Sequence, residues 1–264
     1  MNLTSSKSIF TPILIGGSLI LLISFAIRST FGLFQIPIAE QFLWARSEFS
    51  LAIAIQNLAW GIGTPIFSAF AEKYGDRKAI TVGLLLYALG VFISSTASSP
   101  EAHQFLNIVI GFGIAGSGFG PILAVVGRSA SAEKRSLALG ITTASGSAGQ
   151  VVGPPLAAYL LNLMPWSSVF VVFAIISLLT IVLVPLLKSN PKINKKQVEE
   201  NLSDALIEAI KDPTYIMLFL GFFSCGFQLA FITAHFPAFI VETSSPIVKG
   251  TLISLVCNSV ESLG

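Results

Sequence analysis

Charge is what this sequence has least of. Of its 264 residues, 11% are Asp, Glu, Lys or Arg against 53% hydrophobic, and the mean hydropathy is +0.82. Soluble domains average roughly 25% charged residues, so a water-soluble protein of this size would lack the polar surface to cover itself. Cysteine is also scarce. Cys225 and Cys257 both lie in apolar stretches, which excludes a disulfide framework and a cysteine metal site. There is no Walker loop, no Cys/His metal spacing and no serine nucleophile elbow, so neither an enzyme nor a bound cofactor or metal is expected. The net charge of +2 comes from acidic and basic residues kept apart along the chain, which gives no basic surface for nucleic acid. The class left is an integral protein of the lipid bilayer.

Long apolar runs are what the chain does have. Seven are long enough to cross a bilayer: Ile13–Ile36, Phe49–Phe70, Ile80–Ser98, Phe105–Val126, Leu137–Leu161, Val169–Leu187 and Tyr215–Ile240. Each approaches the roughly 20 residues a spanning helix needs. An eighth begins near Val248 and is cut short at Gly264. The runs are continuous and do not alternate as barrel strands do, so the expected fold is all-α. The 22 Gly and 21 Phe suit helices that pack closely inside and face lipid outside. The first run exceeds the length of a signal-peptide core and lacks an A-x-A site, so it reads as a retained helix.

The connections alternate in charge. Of the 15 Lys and Arg residues, twelve fall on one side: Lys7, Lys73, Arg77, Lys78, Arg128, Lys134, Arg135, Lys188, Lys192, Lys195, Lys196 and Lys211. Arg46 and Lys249 fall on the other, and Arg28 lies inside the first span. The positive-inside rule then places the N-terminus in the cytoplasm. Residues 188–212 read as a cytoplasmic linker. It has a basic, turn-rich start, then a surface helix with Val198, Leu202, Leu206 and Ala209 on one face. Asp212 and Pro213 form an N-cap and first-turn pair for the seventh span.

Between the second and third spans stands Ser68-Ala-Phe-Ala-Glu72-Lys73-Tyr-Gly75-Asp76-Arg77-Lys78. This segment resembles the loop signature of the major facilitator superfamily. Glu72 stands for its usual Asp, while Lys73, Gly75, Arg77 and Lys78 match; Asp76 stands where the family has a basic residue. The resemblance implies a cytoplasmic latch between two six-helix halves. In the fifth span, Gly140, Gly149, Gly153 and Pro154 resemble the superfamily's fifth-helix motif, and Gly149 and Gly153 form a small-xxx-small packing face. Pro154 and Pro155 are expected to bend that helix. Three stretches resemble the monocarboxylate-porter branch and its bacterial relatives: Arg28–Phe34 with Pro37 in span one, Lys134–Gly146 in span five, and Phe231–Phe239 in span seven.

The resemblance implies a major-facilitator-type helical bundle. Residues 1–187 would form the first six-helix half, and residues 213–264 would begin the second. The chain would then be a C-terminally truncated carrier, multi-pass in a bacterial cytoplasmic membrane.

Arg28 is the leading candidate for function. A guanidinium in an apolar helix costs on the order of 2.5–3.5 kcal/mol on insertion scales and marks a functional site by default. The branch resemblance implies that it attracts a carboxylate, which its planar fork can grip in bidentate fashion. Asn57, Gln150 and Gln228 are further substrate-binding candidates. Gln56 and Asn107 read as interhelical hydrogen-bonding groups. His235 and Glu261 are candidates for coupling transport to a proton or a counter-anion. The expected activity is secondary transport of a small organic anion such as a monocarboxylate. Drug or sugar efflux is the alternative in the same class, and a seven-helix receptor or a membrane scaffold is the alternative outside it.

Overall fold

The computed structural model describes residues 10–187 and 208–243, which form helices with no strand among them. In chain order the helices are α1 (Pro12–Ser29), a 3-10 turn (Phe31–Phe34), α2 (Gln35–Phe42), α3 (Arg46–Tyr74) and α4 (Asp76–Ser94). After these come α5 (Pro100–Ser117), α6 (Phe119–Ser129), α7 (Arg135–Leu163), α8 (Trp166–Leu179), a second 3-10 segment (Thr180–Leu186) and α9 (Pro213–Thr243). Seven crossings result, and they follow the seven apolar runs. Six are long and apolar enough to span a membrane on composition alone. The seventh is α7, whose Gly, Ser, Thr and Pro dilute its hydropathy. Its 29 residues still reach about 43 Å at the α-helical rise.

Prolines decide where the runs break. The sequence reading takes the first and fourth spans as single helices, and the structure corrects both. Span one leaves the α-helix at Thr30 and restarts at Gln35. Span four breaks at Gly118, which is extended at φ −90° and ψ −158°. In each case a proline, Pro37 or Pro121, falls on the third residue of the new helix. There its missing N–H and its clash with the carbonyl four residues back cost least. Ser29 and Thr30 add to the first break by donating their hydroxyls to the carbonyls of Ala26 (3.0 Å) and Ile27 (2.7 Å). Pro12, Pro100 and Pro213 each open a helix. Thr11 caps the first through Leu14 N–H at 3.2 Å, Ser99 caps α5 through Ala102 N–H at 3.2 Å, and Asp212 accepts from Thr214 N–H at 2.8 Å. The cap read at Asp212–Pro213 is therefore present. α7 runs unbroken through Pro154 and Pro155. Of the expected surface helix, residues 208–211 are helical; the rest of it and the eighth run lie outside the described residues.

Close crossings hold the bundle together. α1 lies against α7, where a Cβ on Gly149 would overlap the Leu22 carbonyl and one on Gly153 the Ala26 carbonyl. α4 and α5 cross in the same way, with Gly113 against the backbone of Tyr87. The Tyr87 hydroxyl then donates to the Ser24 carbonyl of α1 at 3.3 Å. Two apolar clusters fill the bundle. One is built on Phe31, Phe34, Phe170 and Phe173, the other on Leu21, Phe25, Ile80, Ile122 and Val125. Leu85, Leu89 and Phe92 of α4 and Leu178, Leu179 and Val182 at the end of span six stay exposed, as lipid-facing residues must. α9 meets the 3-10 turn and α3. Its first half, to Gln228, is largely exposed.

Gly153→Val should lower the thermal unfolding temperature of the detergent-solubilised protein, corresponding to at least about 1–3 kcal/mol from overpacking. Gly140→Ala should leave it unchanged, because nothing lies within 4 Å of an added Cβ there.

Candidate substrate site

Arg28 sits in the last turn of α1, where the helix's negative end favours a cation. It is 6% exposed. Its Nη2 donates to Asn57 Oδ1 of α3 at 3.1 Å. Asn57 is aimed by its own helix, since its Nδ2 donates to the Ile53 carbonyl at 2.9 Å and leaves the oxygen for Arg28. The guanidinium carbon lies 4.7 Å from the centre of the Trp60 ring and 5.9 Å from that of Phe25. A hydrogen bond to a charged group contributes about 1.5–3 kcal/mol and a desolvated cation–π contact about 2 kcal/mol. Together these offset the roughly 3 kcal/mol cost of the charge in the membrane.

Two helices supply these contacts at the same spacing. Phe25 precedes Arg28 by one turn on α1, and Asn57 precedes Trp60 by one turn on α3, so each pair shares a helix face. That spacing was available as a signal, but the sequence reading passes over Phe25 and Trp60 because an aromatic in an apolar run offers no contrast.

A narrow void of about 10 Å³, room for little more than one water molecule, adjoins Arg28, lined by Arg28, Phe31, Gly32, Ile53, Asn57, Ala230, Thr233 and Ala234. It joins α1, the 3-10 turn and α3 to α9. Across it, a Cβ on Gly32 would overlap the Thr233 carbonyl and lie 3.3 Å from the Pro237 ring. The structure thus brings Arg28 and Asn57 together. Gln150 is buried on α7 beside Gly149, away from the cavity lining. Gln228 is exposed on α9, also outside the lining. His235 is exposed too and packs on Phe231 with ring centres 5.0 Å apart. Glu261 lies outside the described residues.

A second polar cluster is structural. Gln56 Nε2 donates to Asn107 Oδ1 at 3.1 Å, and Asn107 Nδ2 donates to the His103 carbonyl at 2.8 Å. This ties α3 to α5, the packing role read for Gln56 and Asn107.

The segment from Ser68 to Lys78, which the resemblance reads as a latch, makes its contacts through residues other than Glu72. Gly75 adopts φ +97°, which only glycine takes without strain, and turns the chain between α3 and α4. Glu72, Lys73 and Lys78 are exposed. Asp76 accepts from Arg128 Nη2 of α6 at 2.5 Å, and Arg77 Nη2 donates to the Pro185 carbonyl at 2.5 Å. The acid at position 76 therefore has two reasons to be there, the α4 N-terminus and Arg128.

These features agree with comparisons to known proteins. Residues 17–260 match the family model of the Major Facilitator Superfamily. Monocarboxylate transporter 13 of Bos taurus is 30% identical over 158 residues, covering 58% of this chain and 36% of the relative. The uncharacterised MFS-type transporter YcxA of Bacillus subtilis (strain 168) is 25% identical over 236 residues, covering 85% of this chain and 56% of that protein. The chain thus spans between about a third and just over half the length of these relatives. Among solved structures, a bacterial homologue of the human lysosomal transporter Spinster, inward-facing and unoccupied, superposes with a TM-score of 0.70 at 17% identity. That match covers 98% of this chain and 61% of the other. The chain belongs to the Major Facilitator Superfamily of multi-pass helical membrane proteins.

The Asp76–Arg128 pair should contribute modestly, because the Arg128 side chain is 47% exposed against 10% for Asp76. A double-mutant cycle with Asp76→Ala and Arg128→Ala, read by thermal unfolding, should give a coupling of about 0.5–1 kcal/mol. Exchanging the two residues should recover less than the full amount, since arginine at the α4 N-terminus opposes the helix dipole.

Proposed function

We propose that this chain forms the first half and the beginning of the second half of a secondary transporter that carries a small organic anion, a monocarboxylate, by alternating access. Residues 1–187 are the first bundle, residues 188–212 the linker and residues 213–264 the start of the second bundle. The basic side faces the cytoplasm, following the positive-inside rule, and the anion moves with a proton or in exchange for another anion. The observation that carries this reading is Arg28. It is a buried guanidinium on α1, aimed by Asn57 at a cavity whose opposite wall belongs to α9. Sites between two rocking bundles are the usual place for substrate in such carriers. A fixed charge at the seam can exert different attractions as the two halves move. The bovine relative's name as a monocarboxylate transporter supports the same substrate class.

The side chains around this void also favour an anion over a sugar. Its polar side chains among the described residues are Arg28, Asn57 and Thr233. Asn57 is engaged at both ends of its amide, and Thr233 Oγ1 donates to the Leu229 carbonyl at 2.7 Å. A polyol would leave buried hydroxyls without partners, each costing on the order of 1–3 kcal/mol.

In proteoliposomes holding the full-length protein, Arg28→Ala should reduce lactate uptake at least tenfold while insertion and unfolding temperature stay near wild type. Arg28→Lys should retain part of the uptake, keeping the charge but losing the fork. Normal lactate uptake by the alanine variant would end the anion reading.

A further inference from the structure

The outward faces of α4 and α8 form a second surface with chemistry of its own. α4 packs along α8 and along the 3-10 segment that follows it. On α4 the exposed residues Lys78, Val82, Leu85, Leu89 and Phe92 fall at steps of three and four, which places them on one helix face. On the neighbouring span, Ile175, Leu178, Val182 and Leu186 are exposed too. An apolar furrow, the kind two packed helices leave between them, therefore faces outward. Its end at the start of α4 is basic. Arg77 donates through Nη2 to the Pro185 carbonyl, so its guanidinium bridges the start of α4 and the end of span six. Its Nε is enclosed without a hydrogen-bond partner. Lys78, the next residue, is exposed. Asp76 is taken by Arg128, and among the described residues neither Arg77 nor Lys78 meets a carboxylate. The furrow ends in two cations that have no acidic partner.

We infer that this furrow binds an anionic phospholipid, with its phosphodiester on Arg77 and Lys78 and one acyl chain along the exposed stripe. Length and charge both fit. From Lys78 to Leu89 the stripe rises about 16 Å at the α-helical rise, and one leaflet of the hydrocarbon core is about 15 Å deep. Basic groups between membrane helices on the cytoplasmic side attract anionic headgroups, and an arginine can meet a phosphate with two donors. A purely apolar partner would cover the stripe and leave both charges without a counter-ion. The choice of leaflet rests on the orientation proposed above; the binding itself does not.

The test is fluorescence quenching by brominated lipids in bilayers holding the full-length protein, with Leu85→Trp as a reporter in the stripe. Emission from the protein without this substitution is subtracted. Phosphatidylglycerol brominated on its chains should quench the reporter at an at least about fivefold lower mole fraction than brominated phosphatidylcholine. One basic residue near the membrane surface is worth about fivefold in affinity for anionic lipid, so Arg77→Gln or Lys78→Gln should each cut the preference by about that factor. Arg135→Gln, at the start of α7 on the same basic side, should leave it unchanged. Lys78→Gln carries the test alone where Arg77→Gln, which also loses a bond to span six, folds poorly. Equal quenching by the two lipids, or a preference that survives the substitutions, overturns the inference. An equal loss in Arg135→Gln overturns it too, since the charge of the whole rim would then be at work. Glycerol 3-phosphate separates a lipid from a free phosphate. At millimolar concentration it should leave the preference in place, and loss of the preference overturns the inference in favour of a soluble anion. Both leaflets carry the same lipids, so the result is independent of the orientation and of lactate uptake.

Discussion

A guanidinium placed in an apolar bundle must be stabilised from within, and the way Arg28 is stabilised orders the rest of this structure. Its partners come from two helices, each presenting a pair of side chains one turn apart: Phe25 with Arg28 on α1, and Asn57 with Trp60 on α3. The carbonyl of Ile53 aims Asn57, and the aromatic rings take the flat faces of the charge. The helix break after Arg28 belongs to the same arrangement. By ending α1 at Ser29, the chain places the charge at a helix C-terminus, where the backbone dipole adds to its stability. The 3-10 turn that follows brings Phe31 and Gly32 into the cavity wall.

The helices can hold that constellation because their crossings are made of backbone. Gly149 and Gly153 let α7 rest on the carbonyls of α1, and Gly113 does the same for α5 on α4. Where a lipid bilayer replaces water, apolar side chains gain little by turning inward, so close packing and hydrogen bonds carry more of the association. Gln56 with Asn107 and Tyr87 with the Ser24 carbonyl supply such bonds between helices already brought near. The depth of burial around Arg28 therefore follows from small residues elsewhere in the bundle.

What the sequence revealed depended on contrast. Arg28 stood out because it is charged within an apolar run, and Asn57 because it is polar within one. Trp60 and Phe25 did not, because hydropathy treats an aromatic in a membrane helix as background whatever it touches. The seven runs were legible from length alone. The breaks at Thr30 and Gly118 were not, although Pro37 and Pro121 mark them, since apolarity carries through a lost backbone hydrogen bond without a dip. Asp76 looked like a departure from a basic pattern. Its partner Arg128 lies 52 residues away on α6, a distance over which no local spacing rule operates. Among the proposed binding residues, Gln228 was plausible by position on the seventh span, but a helix turn decides which wall of the cavity a residue joins. Ala230, Thr233 and Ala234 hold that wall instead.

The seam between α9 and the first bundle shows how such a site can be both tight and separable. It is made where Gly32 meets the Thr233 carbonyl and the Pro237 ring, with Ala230 and Ala234 beside it. Interdigitated large side chains would bury far more apolar area there, and the free energy of separation grows with that area. Small residues allow the two backbones to approach closely while burying little. A carrier working as proposed would break this contact in every cycle, and small residues at the seam suit that better than a packed core. The large side chains near the seam, Phe31 and Trp60, make their ring contacts with Phe170 and with Phe25 and Arg28, all from the first six spans. On the proposed alternating-access reading, the charge and its aromatic supports would move as one body, and the wall opposite them would be the part that leaves.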